Sequence, residues 1–371
     1  MTSGNGFKTV RIRRPVLVVA LLIAASATAQ AEPYLAVFKG MQCSACHTHP
    51  GGGGKRNVYG NAFGQTELPA TRIGDEQAAI WTGELNRWFA VGGDLRADYE
   101  YIDTPNQSES SEFDVSRGTV YLEANLIPNR LQLYVDQQFA PNGSLNREAY
   151  VRINSSDGKW LLAAGQFYLP YGLRLQDDSA FVRQATGITF ANPDRGLQVG
   201  YEAGPWSTMV SVTNGTGGGS EIDTGKQVSL LSTYVQSGWR VGLSLNTNDA
   251  DAGDREMAGL FTGLRTGPLV WLVEVDWIQD DQPSGPTVDS LVGLIEANWL
   301  HRKGNNLKLA YDYLDPDRDI SEDHQVRWTA VYEYTPFQFI QARLGVHVYD
   351  GIPQVDRQNR DEFFLELHGF F

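Results

Sequence analysis

The chain has 371 residues, and its 44 acidic side chains against 30 Lys and Arg give a formal net charge of −14. This acidic balance excludes the basic surface that a nucleic-acid-binding protein needs. The sequence contains only two cysteines and both lie in one motif. An exported protein of this sequence would therefore lack structural disulfides and would need a bilayer or a large core for stability.

Residues 1–31 have the features of an export signal. An apolar run at 16–25 is too short to span a bilayer, and it follows a basic stretch formed by Lys8, Arg11, Arg13 and Arg14. Ala29-Gln30-Ala31 matches an A-x-A cleavage site. Removal of the signal takes away these four positive charges, which changes the formal charge from −14 to −18. We therefore expect export, with residues 32–85 forming the first segment of the mature chain.

That segment contains Cys43-Ser44-Ala45-Cys46-His47, the attachment signature of a c-type haem. Cys43 and Cys46 would form thioethers with the vinyl groups, and His47 would be the proximal iron ligand. A dithiol oxidoreductase would need a βαβ context, and a zinc site would need a further ligand. The sequence shows neither of these two alternatives, so we expect one covalent haem c on a short segment that needs support from the rest of the chain.

The second axial ligand and the partners of the haem propionates are open at this stage. Candidates for the ligand are the two residues that flank the motif, Met41 and His49, and two from the following region, His301 and His368. The iron could also be five-coordinate or ligated by a partner protein. Lys55 and Arg56 follow the run Gly51-Gly52-Gly53-Gly54. They are candidates for pairing with the propionates, or they are two solvated charges.

From residue 86 to residue 371 the sequence alternates with a period of two, which indicates strands. Val241, Leu243 and Leu245 alternate with polar or small residues, and the region 340–348 repeats the pattern. Runs and turns give about sixteen strands, in which tight turns alternate with longer polar loops. These features predict an all-β transmembrane antiparallel barrel that ends in the aromatic pair Phe370-Phe371.

The connection 168–195 is much the longest, and we expect it to fold into the lumen. It would place a mixed set of charges at a constriction: Arg174, Asp177, Asp178, Arg183 and Arg195. The inward faces of the strands are also rich in acids. Such a lumen either favours cations through a negative potential or forms a ladder of ion pairs that sets rigidity without strong selectivity.

The region 86–371 resembles the sixteen-stranded general and phosphate-selective porins in its strand count, its alternation of short turns with longer loops and its terminal Phe. A weak local sequence similarity lies at 165–173. The resemblance implies the outer membrane of a Gram-negative bacterium, an inward constriction loop and common trimerisation. The basic ladder of a phosphate-selective pore is absent. Residues 40–69 resemble the N-terminal segment of haem-tagged outer-membrane proteins of metal- and sulfur-cycling bacteria, which implies a periplasmic haem segment.

Three functions are consistent with these features. The first is electron transfer at or across the outer membrane, with a periplasmic or multihaem cytochrome as partner. The alternative is a passive diffusion porin for small solutes or ions, in which the haem segment is a structural plug or a redox gate. The third is a peroxidase-like or ligand-sensing haem. The sequence shows no catalytic constellation, so we expect the protein not to be an enzyme.

Overall fold

The computed structural model describes residues 32–74, 79–141 and 143–371. The predicted export signal at 1–31 lies outside these residues. Within them no helix is both long enough and apolar enough to cross a membrane.

Sixteen antiparallel strands form one closed barrel, in which each strand pairs with its sequence neighbours and β1 pairs with β16. The prediction of sixteen strands is confirmed. The strand bounds are β1 Phe89–Asp103, β2 Ser110–Ile127, β3 Leu131–Ala140, β4 Leu145–Asn154, β5 Trp160–Phe167, β6 Asp194–Ala203, β7 Trp206–Thr213, β8 Gln227–Gln236, β9 Trp239–Asn248, β10 Asp254–Thr266, β11 Leu269–Asp281, β12 Val288–Arg302, β13 Asn305–Asp315, β14 Gln325–Phe337, β15 Ile340–Asp350 and β16 Asp361–Phe370.

The burial pattern of the strands is inverted relative to a soluble protein. In β9 the buried positions hold Arg240, Ser244 and Asn246, whereas the intervening Val241 and Leu243 are exposed. Rings on the outer surface form cross-strand pairs next to the tight turns, such as Trp160 with Tyr201 and Trp206 with Tyr234. An apolar exterior with aromatic residues at one rim is the arrangement of a barrel that spans a bilayer.

The two ends of the barrel differ in their connections. Tight turns such as 204–205, 237–238 and 303–304 lie at one end, which we call the short-turn end, and longer loops lie at the other, the long-loop end. Because the strand number is even, β1 begins and β16 finishes at the short-turn end. The chain therefore enters and leaves the barrel on the same side.

The inner face carries ion pairs between neighbouring strands. Arg327 and Asp312 approach to 2.9 Å, and Arg343 and Glu366 to 3.3 Å. Lys308 lies 3.8 Å from Glu296. Of the two sequence-based alternatives for the lumen charges, these contacts support the ladder of ion pairs.

Residues 32–74, the N-terminal segment, occupy the lumen from the short-turn end. The segment contains helix α1 (Pro33–Lys39), a 3₁₀ turn (Cys43–Ala45) and helix α2 (Val58–Thr66). Three of its hydrogen bonds reach turns at that end: Gln42 to the Pro205 carbonyl, Arg265 to the Phe38 carbonyl, and the Ala70 amide to the Thr335 carbonyl. The sequence did not establish that the segment lies inside the barrel.

The long connection between β5 and β6 also folds into the lumen, and it carries the short helix α3 (Phe181–Thr186). Its backbone amides donate to inner-face carboxylates, from Leu173 to Glu274 and from Phe181 to Asp312, both over 3.1 Å. Arg327 of β14 binds Asp177 at 2.8 Å. The segment and this inward loop therefore fill the lumen from opposite ends. A short 3₁₀ turn (Asp356–Asn359) caps the loop before β16.

A buried ion pair holds the segment to the wall, and it generates a testable prediction. Lys55 and Glu123 lie 3.2 Å apart, with side chains only 3% and 8% exposed, and Thr48 also donates to Glu123 over 3.0 Å. We expect Glu123→Gln to weaken docking of the segment by about 3 kcal/mol, because it leaves the Lys55 ammonium buried and unpaired. Protease cleavage within residues 32–74 of the folded barrel should then rise about 100-fold.

The matched control is Glu67→Gln. Glu67 also pairs with a lysine of the segment, Lys39, at 3.1 Å, but the two side chains are 56% and 32% exposed. Such a pair contributes about 0–1 kcal/mol, so cleavage should change less than tenfold. Equal effects of the two substitutions would contradict the buried anchor.

Candidate cofactor site

The attachment motif forms one tight turn. The 3₁₀ turn Cys43–Ala45 is extended by the His47 amide, which donates to the Cys43 carbonyl over 3.0 Å. This turn brings both thiols and the imidazole to one side of the backbone. Cys43 and Cys46 are free thiols and half-buried.

A glycine-rich hairpin follows the motif. His47 and Arg56 form an antiparallel bridge, and the Thr48 amide donates to the Lys55 carbonyl over 3.0 Å. Gly52, Gly53 and Gly54 at its tip have φ values of 89°, 73° and 60°, a region that other residues rarely adopt. The glycine run is therefore needed to return the chain beside the motif within a few residues.

Asn57 fixes helix α2 against the motif. Its side chain accepts from the Gly60 amide over 2.9 Å as the helix N-cap, and it donates to the Ser44 carbonyl over 2.9 Å. The Asn57 amide donates to the Cys46 carbonyl over 3.0 Å. The sequence analysis did not assign a role to Asn57, although an asparagine before a helix is a recognisable capping signal.

A cavity with an empty volume of about 940 Å³ opens beside the motif. Cys43, Cys46 and His47 bound it on one side, and Met209 of β7 with Leu231 of β8 bound it from the barrel wall. The two wall residues are 3% and 8% exposed, and they belong to a buried apolar cluster inside the barrel.

A second, polar cavity of about 570 Å³ adjoins the first. Both are bounded by His47, Arg56 and Arg174, and the second adds Arg117 and Arg147 from the wall. The site thus has an apolar chamber that continues into an arginine-rich one. This combination suits a planar apolar ring that carries carboxylates along one edge.

The protonation states of the motif suit iron ligation better than dithiol chemistry. Burial, with a further contribution from Arg56, lowers the pKa of His47 to about 3, so the imidazole is neutral at physiological pH. Neither ring nitrogen has a partner in good hydrogen-bond geometry, although the Gly53 and Gly54 backbone lies beside the ring. Burial raises the pKa of Cys46 to about 11, and a thiol of this kind is a poor redox nucleophile.

These observations test whether the residues present fit a haem c. Two thiols and a neutral imidazole border one apolar chamber, and arginines lie at its edge, so the residues fit. In residues 32–74, 79–141 and 143–371 no group of three or more His, Cys, Asp or Glu could hold a metal ion.

The four candidates for the second axial ligand are placed differently. Met41 lines the chamber. His49 is buried 3.7 Å from Glu148 and accepts a hydrogen bond from the Gly51 amide. His301 is half-buried beside Trp299 on the barrel exterior, and His368 lies 3.1 Å from Asp94. None of these three histidines lines the chamber. Met209, which was not among the four candidates, lines the chamber. Its inward-facing position on β7 is the signal that could have identified it.

The two candidates for pairing with the haem propionates, Arg56 and Lys55, also lie in different surroundings. Arg56 borders both chambers, with its guanidinium 4.0 Å from the ring centre of Phe370. Lys55 points away and pairs with Glu123.

The predicted constriction residues do not form one group. Arg174 donates to the Gly52 carbonyl over 2.7 Å and lines the chamber beside the motif. Asp177 pairs with Arg327, which lowers the pKa of this carboxyl although burial opposes the shift, and Asp178 contacts Arg183 at 3.4 Å. The expectation for Arg195 is not met, because it is exposed at an outward position of β6 and donates to Gln166.

Comparison with known proteins identifies the fold. No protein-family model and no curated protein matches the chain. Matching solved structures include a loop-deletion form of OmpT, an outer membrane protein of Vibrio cholerae, at 13% identity and TM-score 0.62, over 76% of this chain and 99% of that one. The anion-selective porin from Comamonas acidovorans matches at 11% identity and TM-score 0.59, over 76% and 99%. OprB of Pseudomonas putida matches at 8% identity and TM-score 0.55, over 77% and 95%.

These identities establish the fold alone. The chain is an all-β, closed, sixteen-stranded antiparallel barrel of porin-like architecture, as the resemblance implied.

Gly60 in helix α2 provides a test of the motif's packing. A Cβ at this position would lie 2.0 Å from the Cys46 carbonyl oxygen, so Gly60→Ala must separate α2 from the motif. We expect a loss of about 1–3 kcal/mol in stability of the segment, measured by protease sensitivity or thermal unfolding. Glycine to alanine inside a helix otherwise stabilises by about 1 kcal/mol, so the sign of the change is itself informative.

Gly64→Ala is the control on the same helix. Its added Cβ would meet only the edge of the Phe370 ring, at 3.2 Å, so this substitution should be neutral or mildly stabilising. A stable Gly60→Ala segment would show that α2 does not pack on the motif as described.

Proposed function

We propose that the protein is an outer-membrane barrel that carries one covalent haem c inside its lumen and transfers electrons at that membrane. The observation that carries the proposal is the apolar chamber between the barrel wall and the motif Cys43, Cys46 and His47. A diffusion pore has no need of an apolar chamber with this donor set, and the residues of the chamber fit a haem.

Each residue of the site has a distinct part in this proposal. Cys43 and Cys46 would hold the cofactor through thioethers, and the neutral His47 would ligate the iron. The cofactor would supply one-electron chemistry. Two methionines border the chamber as candidates for the second ligand, Met41 from the segment and Met209 from the wall. Methionine ligation would give a higher potential than a second histidine.

Arginines would neutralise the propionates. Arg56 and Arg174 border both the apolar and the polar chamber, and Arg174 is held in place by its bond to the Gly52 carbonyl. The position of Arg174 on the inward loop means that this loop, the segment and the barrel wall all contribute to one cofactor site.

The depth of the motif indicates where a redox partner would dock. Ser44 donates to Glu202 near the β6–β7 turn over 2.6 Å, and Gln42 reaches Pro205 in that turn. The motif therefore lies close to the short-turn end, which faces the periplasm in outer-membrane barrels. One haem cannot bridge a hydrocarbon layer of about 30 Å, so we propose a periplasmic or multihaem cytochrome as the partner at this end.

A second candidate function is passive diffusion of small solutes or ions, and the porin-like fold supports it. An open vestibule of about 1430 Å³ lies toward the long-loop end, and a cavity of about 950 Å³ lies toward the short-turn end. In this case the segment would be a plug or a redox gate between them. One of the similar OmpT structures is a trimer form, and a homotrimer of this chain stays a prediction.

The first prediction concerns the cofactor itself. The detergent-extracted protein should give a pyridine haemochrome of covalent haem and low-spin absorption bands in both redox states. Cys43→Ala combined with Cys46→Ala should abolish covalent haem but leave barrel folding intact, because the strands do not depend on the motif. An extracted native protein without covalent haem would refute the electron-transfer proposal and leave diffusion as the function.

The second prediction separates a gate from a static plug. If the haem gates diffusion, single-channel conductance of the full chain in planar bilayers should change when the haem is reduced. The variant without both cysteines serves as the redox-silent control, since its conductance cannot respond. Equal conductance in the two redox states would eliminate the gate.

A further inference from the structure

The first residues of the segment lie deep inside the barrel. Glu32 is 3% exposed, and its carboxylate contacts the Lys308 ammonium at 3.1 Å. The next side chain but one, Tyr34, donates to Glu333 over 2.9 Å. Lys308 lies three residues into β13, which corresponds to about 10 Å from the short turn.

Carboxylates are in excess around this position. Lys308 faces three of them, Glu32, Glu296 and Glu333, within 3.8 Å. Arg343 is 3.4 Å from Glu333 but is shared with Glu366. In these ion pairs, all within residues 32–74, 79–141 and 143–371, the three carboxylates meet two cations, Lys308 and the shared Arg343. In agreement, burial and the two neighbouring glutamates raise the pKa of Glu32, although Lys308 opposes them.

The predicted cleavage after Ala31 would create a new charge at this place. Cleavage makes Glu32 the first residue, and its backbone nitrogen becomes an ammonium separated from its own carboxylate by only two methylene groups beyond Cα. We propose that the N-terminal ammonium of the mature chain is buried in the lumen and ion-paired within the Glu32, Glu296 and Glu333 cluster. One added positive charge neutralises the three carboxylates and two cations.

The direction of helix α1 supports this assignment. Its C-terminal end is at the short-turn end, where the Phe38 carbonyl accepts from Arg265. Its seven residues rise about 10 Å, so the N-terminal end points toward the middle of the barrel. With residues 1–31 still attached, the backbone nitrogen of Glu32 would be an uncharged amide, and the cluster would lack the added ammonium. Signal removal would therefore precede completion of the cluster.

This inference uses neither the haem nor electron transfer, so it holds equally for a diffusion porin. In this proposal, signal cleavage is a maturation step, because it produces the positive charge that completes a buried ion-pair cluster. Removal of one partner from such a cluster is costly because it leaves the others uncompensated.

The test is amine labelling of the native, detergent-folded full-length mature protein with an N-hydroxysuccinimide ester at pH 7, read by peptide mass spectrometry. An exposed α-amino group has a pKa of about 7.7 against about 10.4 for lysine, so it would react before an exposed lysine. We expect the reverse order: Lys159, which is exposed in a short turn, should be labelled at least tenfold faster than the amine of Glu32. Heat unfolding should restore the normal order.

Two results would overturn the proposal. One is a native N-terminus at a residue other than Glu32, or a blocked Glu32. The other is labelling of the native α-amine as fast as, or faster than, Lys159.

A variant pair tests the ion-pairing itself. Glu296→Gln with Glu333→Gln should raise native labelling of the α-amine at least tenfold, and Glu256→Gln, at an exposed position of β10, should leave it unchanged. Only the fraction that keeps the electrophoretic mobility of the folded barrel is compared. An unchanged rate in the double variant would refute the pairing, and the wild-type measurement decides burial even if this variant does not fold.

Discussion

Closure of the barrel is the constraint on which the rest of the structure depends. A closed sheet in a bilayer has to turn its apolar side chains outward, so charged and polar side chains accumulate on the inner face. A chain segment that enters the lumen displaces water from these wall charges and must supply partners for them. The N-terminal segment and the inward loop do so through Lys55 with Glu123 and through Asp177 with Arg327. The segment and the inward loop are therefore each held to the wall by at least one ion pair.

The chamber beside the attachment motif is bounded by an apolar part of the inner face. Met209 and Leu231 are neighbours in register across β7 and β8, and their inner-face neighbours are small polar residues such as Ser211 and Ser229. Met209 and Leu231 belong to a buried apolar cluster that continues along the inner faces of β10 to β12. A low local dielectric of this kind favours a neutral imidazole and strengthens any nearby charge interaction.

The barrel could be predicted from the sequence because its signals are local. Period-two alternation sets which side chains face inward, and turn residues set where strands end, so Arg240 and Asn246 were recognisable as lumen residues. The motif at 43–47 was recognisable for the same reason, since its chemistry depends on spacing within five residues.

Contacts between distant parts of the chain have no such signal. The pairing of Lys55 with Glu123, and of Glu32 with Lys308, joins residues 68 and 276 positions apart, so the sequence did not reveal that the segment enters the barrel. Met209 was missed because its role depends on what it faces. Arg195 was assigned to the lumen as part of a loop, yet strand parity puts it outside, because Asp194 and Gln198 take the inward positions.

The two ends of the N-terminal segment are held at different depths, and this has a topological consequence. Glu32 lies inside the lumen beside Lys308, whereas Ala70 and Thr71 are bound to the rim at Thr335 and Pro336. If signal removal frees the chain end at Glu32, as proposed above, the segment can enter an already closed barrel from the short-turn end without threading a loop, and no knot forms. The segment could then enter and leave the lumen along the same route, and neither movement would require any pair of barrel strands to separate.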